Sequence, residues 1–295
     1  MKLIQDNFVP VAIDQWYQRR QQDAEGEFWR KIAGQSPRND FRQTTQGHFI
    51  CDASGKLLGY NPNHVDLERV RAFIRDAFDK FDSDAQKDVK PLVVKNRDPQ
   101  FDVRQPENGI VVRMYSKVLG GYEKAKNSSA KAFQSSVGQD NLWITEDEKQ
   151  DLIQAVRKDG EVPAEIAYRI ARFCLIDNTR GEPPRWRFDQ VKKISMRIDN
   201  GVLKGNVELK TEDEKRGYVC ELFGYVSVKG KEVTRFDIAV EGQFWGQGRH
   251  TPWAPKGKFP LVFTFQLADP SSAESHAVPH GAKGWVDGYY NAAKP

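Results

Sequence analysis

Cysteine is scarce. The chain of 295 residues holds three, Cys51, Cys174 and Cys220, with no two close together. A CxxC redox pair and a tetrahedral cysteine–zinc site both need a spacing that is absent. Long apolar runs are missing too. None approaches the roughly 20 residues a membrane helix needs, so no membrane insertion is expected. No basic n-region leads into an apolar h-region, so no secretory signal is read in this chain. A mature form would read the same, which leaves an extracytoplasmic and a cytoplasmic setting both open. Charge of one sign is not in excess: the net charge is +4, and the densest basic clusters are Arg19-Arg20 and Lys192-Lys193. Neither is a run of the length that marks a nucleic-acid arm, so no nucleic-acid partner is expected.

Catalytic signatures are equally sparse. There is no G-x-S-x-G, hence no nucleophile elbow. Neither phosphate-loop glycine pattern occurs. The nearest glycine cluster, "GQFWGQG", follows a strand-like run but opens no helix. "HAVPH" gives His276 and His280 the H-x3-H spacing that serves zinc on a helix. Pro279 falls inside it and the region reads as loop, so no metal and no cofactor are expected. Cys51, Cys174 and Cys220 sit in apolar runs, where a free thiol packs as a small hydrophobe. One disulfide with a leftover thiol is the alternative.

What is present allows a real core. Hydrophobic residues make up 39% and aromatics 11%, while charged residues of mixed sign make up 29%. The mean hydropathy of -0.68 assigns much of the chain to surface or loop. The length suits one large domain or two ordinary ones. Phe8 to Ile13 is an apolar run broken only by Pro10 and reads as a short buried strand, with the proline favouring an edge. Phe28, Trp29 and Ile32 have helical spacing, and Gly34 is a stop signal. His48–Cys51, a turn at Asp52 to Gly55, and Lys56–Tyr60 read as a hairpin. Leu67, Val70, Phe73, Ile74, Ala77, Phe78 and Phe81 recur at three and four, which predicts an amphipathic helix packed on the strands.

The order "NFVPVAID…TTQGHFICDASGKLLGY…VRAFIRDAF" resembles the second half of a thioredoxin-like domain. In that family the hairpin is preceded by a cis-proline; here Thr45-Gln46-Gly47 stands at that place. The family's CxxC unit would lie before Met1. The resemblance implies the fold over about 75 residues and assigns no thiol role to any position. Two expectations follow. The chain begins with a cut-down, non-redox unit, or its catalytic segment precedes Leu3–Gln5, which read as the end of a helix.

Residues 83–109, polar and carrying Pro91, Pro99 and Pro106, read as a linker. Ile110 to Tyr115 is strand-like, and the polar stretch 120–141 reads as irregular. Thr145 and Glu148 fit a capping box. The helix they open runs to about Lys158, and Pro163 opens a second one with Ile166, Ile170 and Phe173 on its apolar face. From Val191 five strand-like runs follow, with Asn200-Gly201 a strong hairpin signal. The expected fold is α+β: a partial thioredoxin-like unit (1–82), a linker, and a mainly antiparallel β-sheet domain with flanking helices (110–295).

Two loops carry the residue types of a binding pocket. One holds Asp177, Asn178, Arg180, Glu182 and Trp186; the other holds Trp245, Arg249, His250 and Trp253. Arg235 and Asp237 lie on the strand that leads into the second. Tryptophans offer stacking faces and arginine a planar fork for carboxylate or phosphate. The same residues also suit a plain structural corner, with Asp177 paired to Arg180 and the tryptophans capping the sheet. The expectation is a non-redox binding or scaffolding protein, its partner a protein or small polar ligand. The alternatives are a thiol-disulfide oxidoreductase lacking its catalytic segment, or a carbohydrate-binding or carbohydrate-active domain. The two loops are expected to meet on one surface.

Overall fold

The computed structural model describes residues 2–63 and 66–295. The chain divides into two compact units, Met1–Asp102 and Val103–Pro295.

In the first unit, short helices α1 (Lys2–Asn7) and α2 (Gln15–Gln18) flank a segment with no secondary structure. That segment is the apolar run 8–13. The expected buried strand is not there: Val9 is 88% and Val11 71% exposed. Apolarity marks a segment that gains from burial, but a strand needs a paired backbone, and no described strand of this chain pairs with it. Helix α3 (Ala24–Ala33) is capped by Asp23, whose carboxylate accepts from the Glu25 and Gly26 N–H groups. It buries Trp29, Ile32 and Ala33. The hairpin follows as β1 (His48–Cys51) and β2 (Leu57–Asn61). Its turn is held by Asp52 Oδ1, which accepts from the Ser54 and Lys56 N–H groups at 2.9 and 3.0 Å. Gly55 supplies the φ of +82° that the turn requires.

Helix α4 (Leu67–Asp79) packs closely on β2, where a side chain at Gly59 would collide with Phe73. Ala77 is fully buried, yet Leu67, Phe78 and Phe81 remain exposed. The predicted apolar face is therefore wider than the two-stranded sheet can cover. Cys51, expected in the core, is exposed. Residues 83–102 fold back on this unit: Asp98 N–H donates to Asp23, the Gln22 N–H donates to Asp98, and Phe101 packs on Trp16 and Tyr17.

The second unit is built on a seven-stranded antiparallel sheet. Its strands are β3 (Ile110–Val118), β4 (Gly138–Ile144), β5 (Val191–Asp199), β6 (Val202–Lys210), β7 (Gly217–Lys229), β8 (Glu232–Trp245) and β9 (Lys258–Leu267). They lie in the order β4-β3-β9-β8-β7-β6-β5. The stretch 120–141 is not irregular throughout: it contains α5 (Ser128–Ser135) and the first half of β4. The polar half of β4, at the sheet edge, lacks an alternating apolar signal. Strands β5 to β9 follow the alternation of their sequence closely. Tyr218, Cys220 and Leu222 turn inward, while Val219, Glu221 and Phe223 turn outward.

Helix α6 (Glu146–Arg157) starts with the predicted Thr145–Glu148 capping box. Helix α7 (Ala164–Arg169) continues as a π-helical stretch over Ile170–Cys174. These helices cover the inner face of the sheet, burying Leu152, Ile166 and Ile170. The C-terminal segment, ending in α8 (Val286–Tyr290), closes a second cluster around Val111, Trp143 and Phe173. Two arginines tie it down. Arg169 donates to the Tyr289 and Tyr290 carbonyls at 2.9 Å each, and Arg172 to the Ala292 carbonyl at 2.6 Å.

Candidate functional site

The two predicted loops meet. Glu182 and His250 form an antiparallel bridge, and Arg180 Nε donates to the Pro252 carbonyl at 3.1 Å. Gly181, at φ +147°, makes that approach possible, because a Cβ there would stand 2.2 Å from the His250 carbonyl oxygen. The junction is filled from within. Arg180 also donates to the Tyr122 hydroxyl and pairs with Asp177, both partners buried. Asp177 Oδ1 accepts from the Thr179 hydroxyl at 2.6 Å. Asn178 accepts from the Ser116 hydroxyl at 2.5 Å and lies against Gly138.

Trp186 offers no stacking face. It is completely buried, its Nε1–H donates to the Leu175 carbonyl at 2.8 Å, and Arg216 lies 3.9 Å above its ring. Burial moves the Arg216 guanidinium down to about 10. Trp245 is spent on the Glu214 carbonyl and on Lys258 over its ring. Only Glu182, Arg249, His250 and Trp253 stand at the surface of this junction, Trp253 leaning on Phe133 at 5.0 Å. Arg235 and Asp237 pair with each other at 2.7 Å near the opposite end of β8. At about 3.3 Å per residue they lie roughly 30 Å from Trp245. The eleven predicted residues therefore do not form one site.

A concavity of about 630 Å³ lies instead on the outward face of the sheet. Arg197, Lys204, Glu221, Phe223, Glu241 and Thr264 line it, one or two from each of β5 to β9. Register explains its character. Glu221 faces Glu241 across β7 and β8, Lys204 faces Phe223, and Arg197 faces Lys204. The like-signed charges are thus adjacent, with an exposed phenyl ring between the two pairs. Arg197 is engaged by Glu161 and the Asp159 carbonyl. Among the described residues, the side chains of Lys204, Glu221 and Glu241 have no hydrogen-bond or ion-pair partner. Alternation along "YVCELFGY" does place Glu221 and Phe223 outward. Gly230-Lys231 joins β7 to β8 as a hairpin, but the bulge at Ser227/Val228 that brings Glu241 opposite Glu221 carries no local signal.

The three thiols are unbridged. Burial raises Cys51, with Asp52 adding to it, and raises Cys174 further; it pushes Cys220 up to about 12. No group of metal-ligating side chains gathers among the described residues. No family model, curated protein or solved structure matches this chain.

Proposed function

We propose that this is a non-catalytic binding protein. Its second unit takes a small zwitterionic ligand, of the size class of a short peptide with free termini, on the outward face of the sheet. The Glu221–Glu241 pair carries the reading. Like charges directly opposed on neighbouring strands destabilise a sheet by about 0.2–1 kcal/mol, and no described residue forms an ion pair with either of these two. A cationic group placed between them would offset that cost. Phe223 supplies an apolar floor and Lys204 a counter-charge for the ligand's carboxylate. The volume lies within the roughly 300–1,000 Å³ of small-molecule sites. Three thiols whose pKa values all lie above the ordinary range support a non-redox role, since the thiolate is the reactive form.

The first unit fits a non-redox, thioredoxin-like half-domain, a reading supported by its order of helix, hairpin and helix. Calorimetric titration with tripeptides bearing free or blocked termini tests the binding proposal. Free-terminus peptides should bind, and Glu241→Gln should weaken them about tenfold, the loss of one charged hydrogen bond. The same variant should raise stability by up to about 1 kcal/mol without ligand. Equal binding of blocked peptides, or destabilisation by the variant, would overturn the reading.

A further inference from the structure

Uncovered apolar surface is concentrated in the first unit. Ten of the eighteen exposed large apolar side chains among the described residues fall within its 102 residues, about a third of the chain. Soluble surfaces rarely leave such side chains grouped without an interaction to account for them. The run 8–13 is the barest part. Val9, Val11 and Ile13 are 88%, 71% and 40% exposed, and they follow each other at the two-residue spacing of one strand face. None of the three makes a main-chain hydrogen bond.

Pro10 does not spoil this segment as a strand. In an extended chain the N–H and C=O of one residue point to one edge, and those of the next residue point to the other. The proline removes a donor from the edge formed by residues 8, 10 and 12. The edge formed by 9, 11 and 13 keeps every donor and acceptor.

The same unit holds a receptor for such a strand. Among the described residues the sheet of β1 and β2 has two edges and no third strand. The edge on β2 is partly satisfied by side chains: Gln35 accepts from the Leu57 N–H, and Lys80 donates to the Leu58 carbonyl. Among the described residues no side chain serves the edge on β1. The two features begin at one corner, since Gln15 Oε1 accepts from both the N–H and the hydroxyl of Thr45, just before β1. A chain that carries an unpaired strand and an unpaired edge is self-complementary. A two-fold axis satisfies both in both copies.

We propose that two copies of the chain associate through their first units, residues 8–13 of each adding as a strand to the β1 edge of the other. Sedimentation velocity on the full chain over the micromolar range tests it. The expected species is a dimer of twice 33.7 kDa. Val11→Asp should weaken the dimer by roughly 100- to 10,000-fold, because the two-fold removes one buried apolar side chain from each copy. The side chain is exposed in the single copy, so the variant's circular dichroism should not change. Val219→Asp, at an exposed position of the second unit, should leave the dimer intact. Three results would overturn the proposal: a monomer at 100-fold the expected range, a dimer indifferent to Val11→Asp, or amide protection of Val9, Val11 and Ile13 in a monomer. The last would mean that the chain's own residues cover the segment.

Discussion

Arg169 is completely buried and uses its guanidinium fully. It pairs with Glu148 through two bonds of 2.5 and 2.7 Å and donates to three carbonyls, those of Trp143, Tyr289 and Tyr290. Glu148 is also the reciprocal half of the α6 capping box. Glu148→Gln therefore weakens a cap and removes the counter-charge of a buried cation. It should cost about 3–5 kcal/mol, read from urea denaturation. Asp140 is a second sensitive residue. Burial raises its carboxyl to about 7, against the pull of the His280 and Asn141 N–H groups and of Lys283. The folded state thus holds this proton more tightly than the unfolded chain. Its contribution is complete below about pH 4 and is lost as pH rises through about 7. The melting temperature should fall across that window in the natural chain, and less in Asp140→Asn. Equal slopes in both proteins would refute the assignment. Residue chemistry was only partly legible in the sequence. The Asp177–Arg180 pair could be read from spacing, but Trp186 could not be placed. A tryptophan beside two prolines looks the same whether its ring faces solvent or the core.

At the scale of elements, the sequence spoke where a local rule decides. The Thr145–Glu148 cap, the Asn200-Gly201 turn and the alternation of β5 to β9 each depend on neighbours in the chain. Asn200 and Gly201 take φ of +49° and +74°, the pair of positive values that a two-residue hairpin needs. Gly201→Ala places a Cβ in that region, 3.1 Å from the Val226 carbonyl oxygen. It should cost about 1–2 kcal/mol in thermal denaturation, whereas an equal exchange at Gly160, where φ is not positive and a Cβ meets Ala155 at an ordinary 3.6 Å, should cost less. The misreadings share one cause. Residues 8–13 have the composition of a buried strand without a neighbour to pair with. The first half of β4 is a strand without the composition, because at the sheet edge its side chains bond to the C-terminal segment rather than fill the core. Asn141 donates to the Glu274 and Ala277 carbonyls, and Asp140 accepts from His280. Such partners lie more than 130 residues away in sequence.

At the scale of the molecule, the chain joins a small unit with much bare apolar surface to a larger one with a complete core. The second unit's core draws on all seven strands and on α6 and α7; its mainly antiparallel sheet with flanking helices was legible in the strand-like runs from Val191, the Asn200-Gly201 turn and the Thr145–Glu148 cap. The site proposed on its outward face arises from register alone. Glu221, Phe223 and Lys204 are ordinary solvent-facing residues of their own strands, and Glu241 joins them only because β7 and β8 are neighbours. Binding there is tested most directly by amide chemical shifts during titration with a tripeptide bearing free termini. The account predicts shifts concentrated at Lys204, Glu221, Phe223 and Glu241, and lost in Glu241→Gln. Shifts confined to the junction of Glu182 and His250, or none at millimolar peptide, would contradict it.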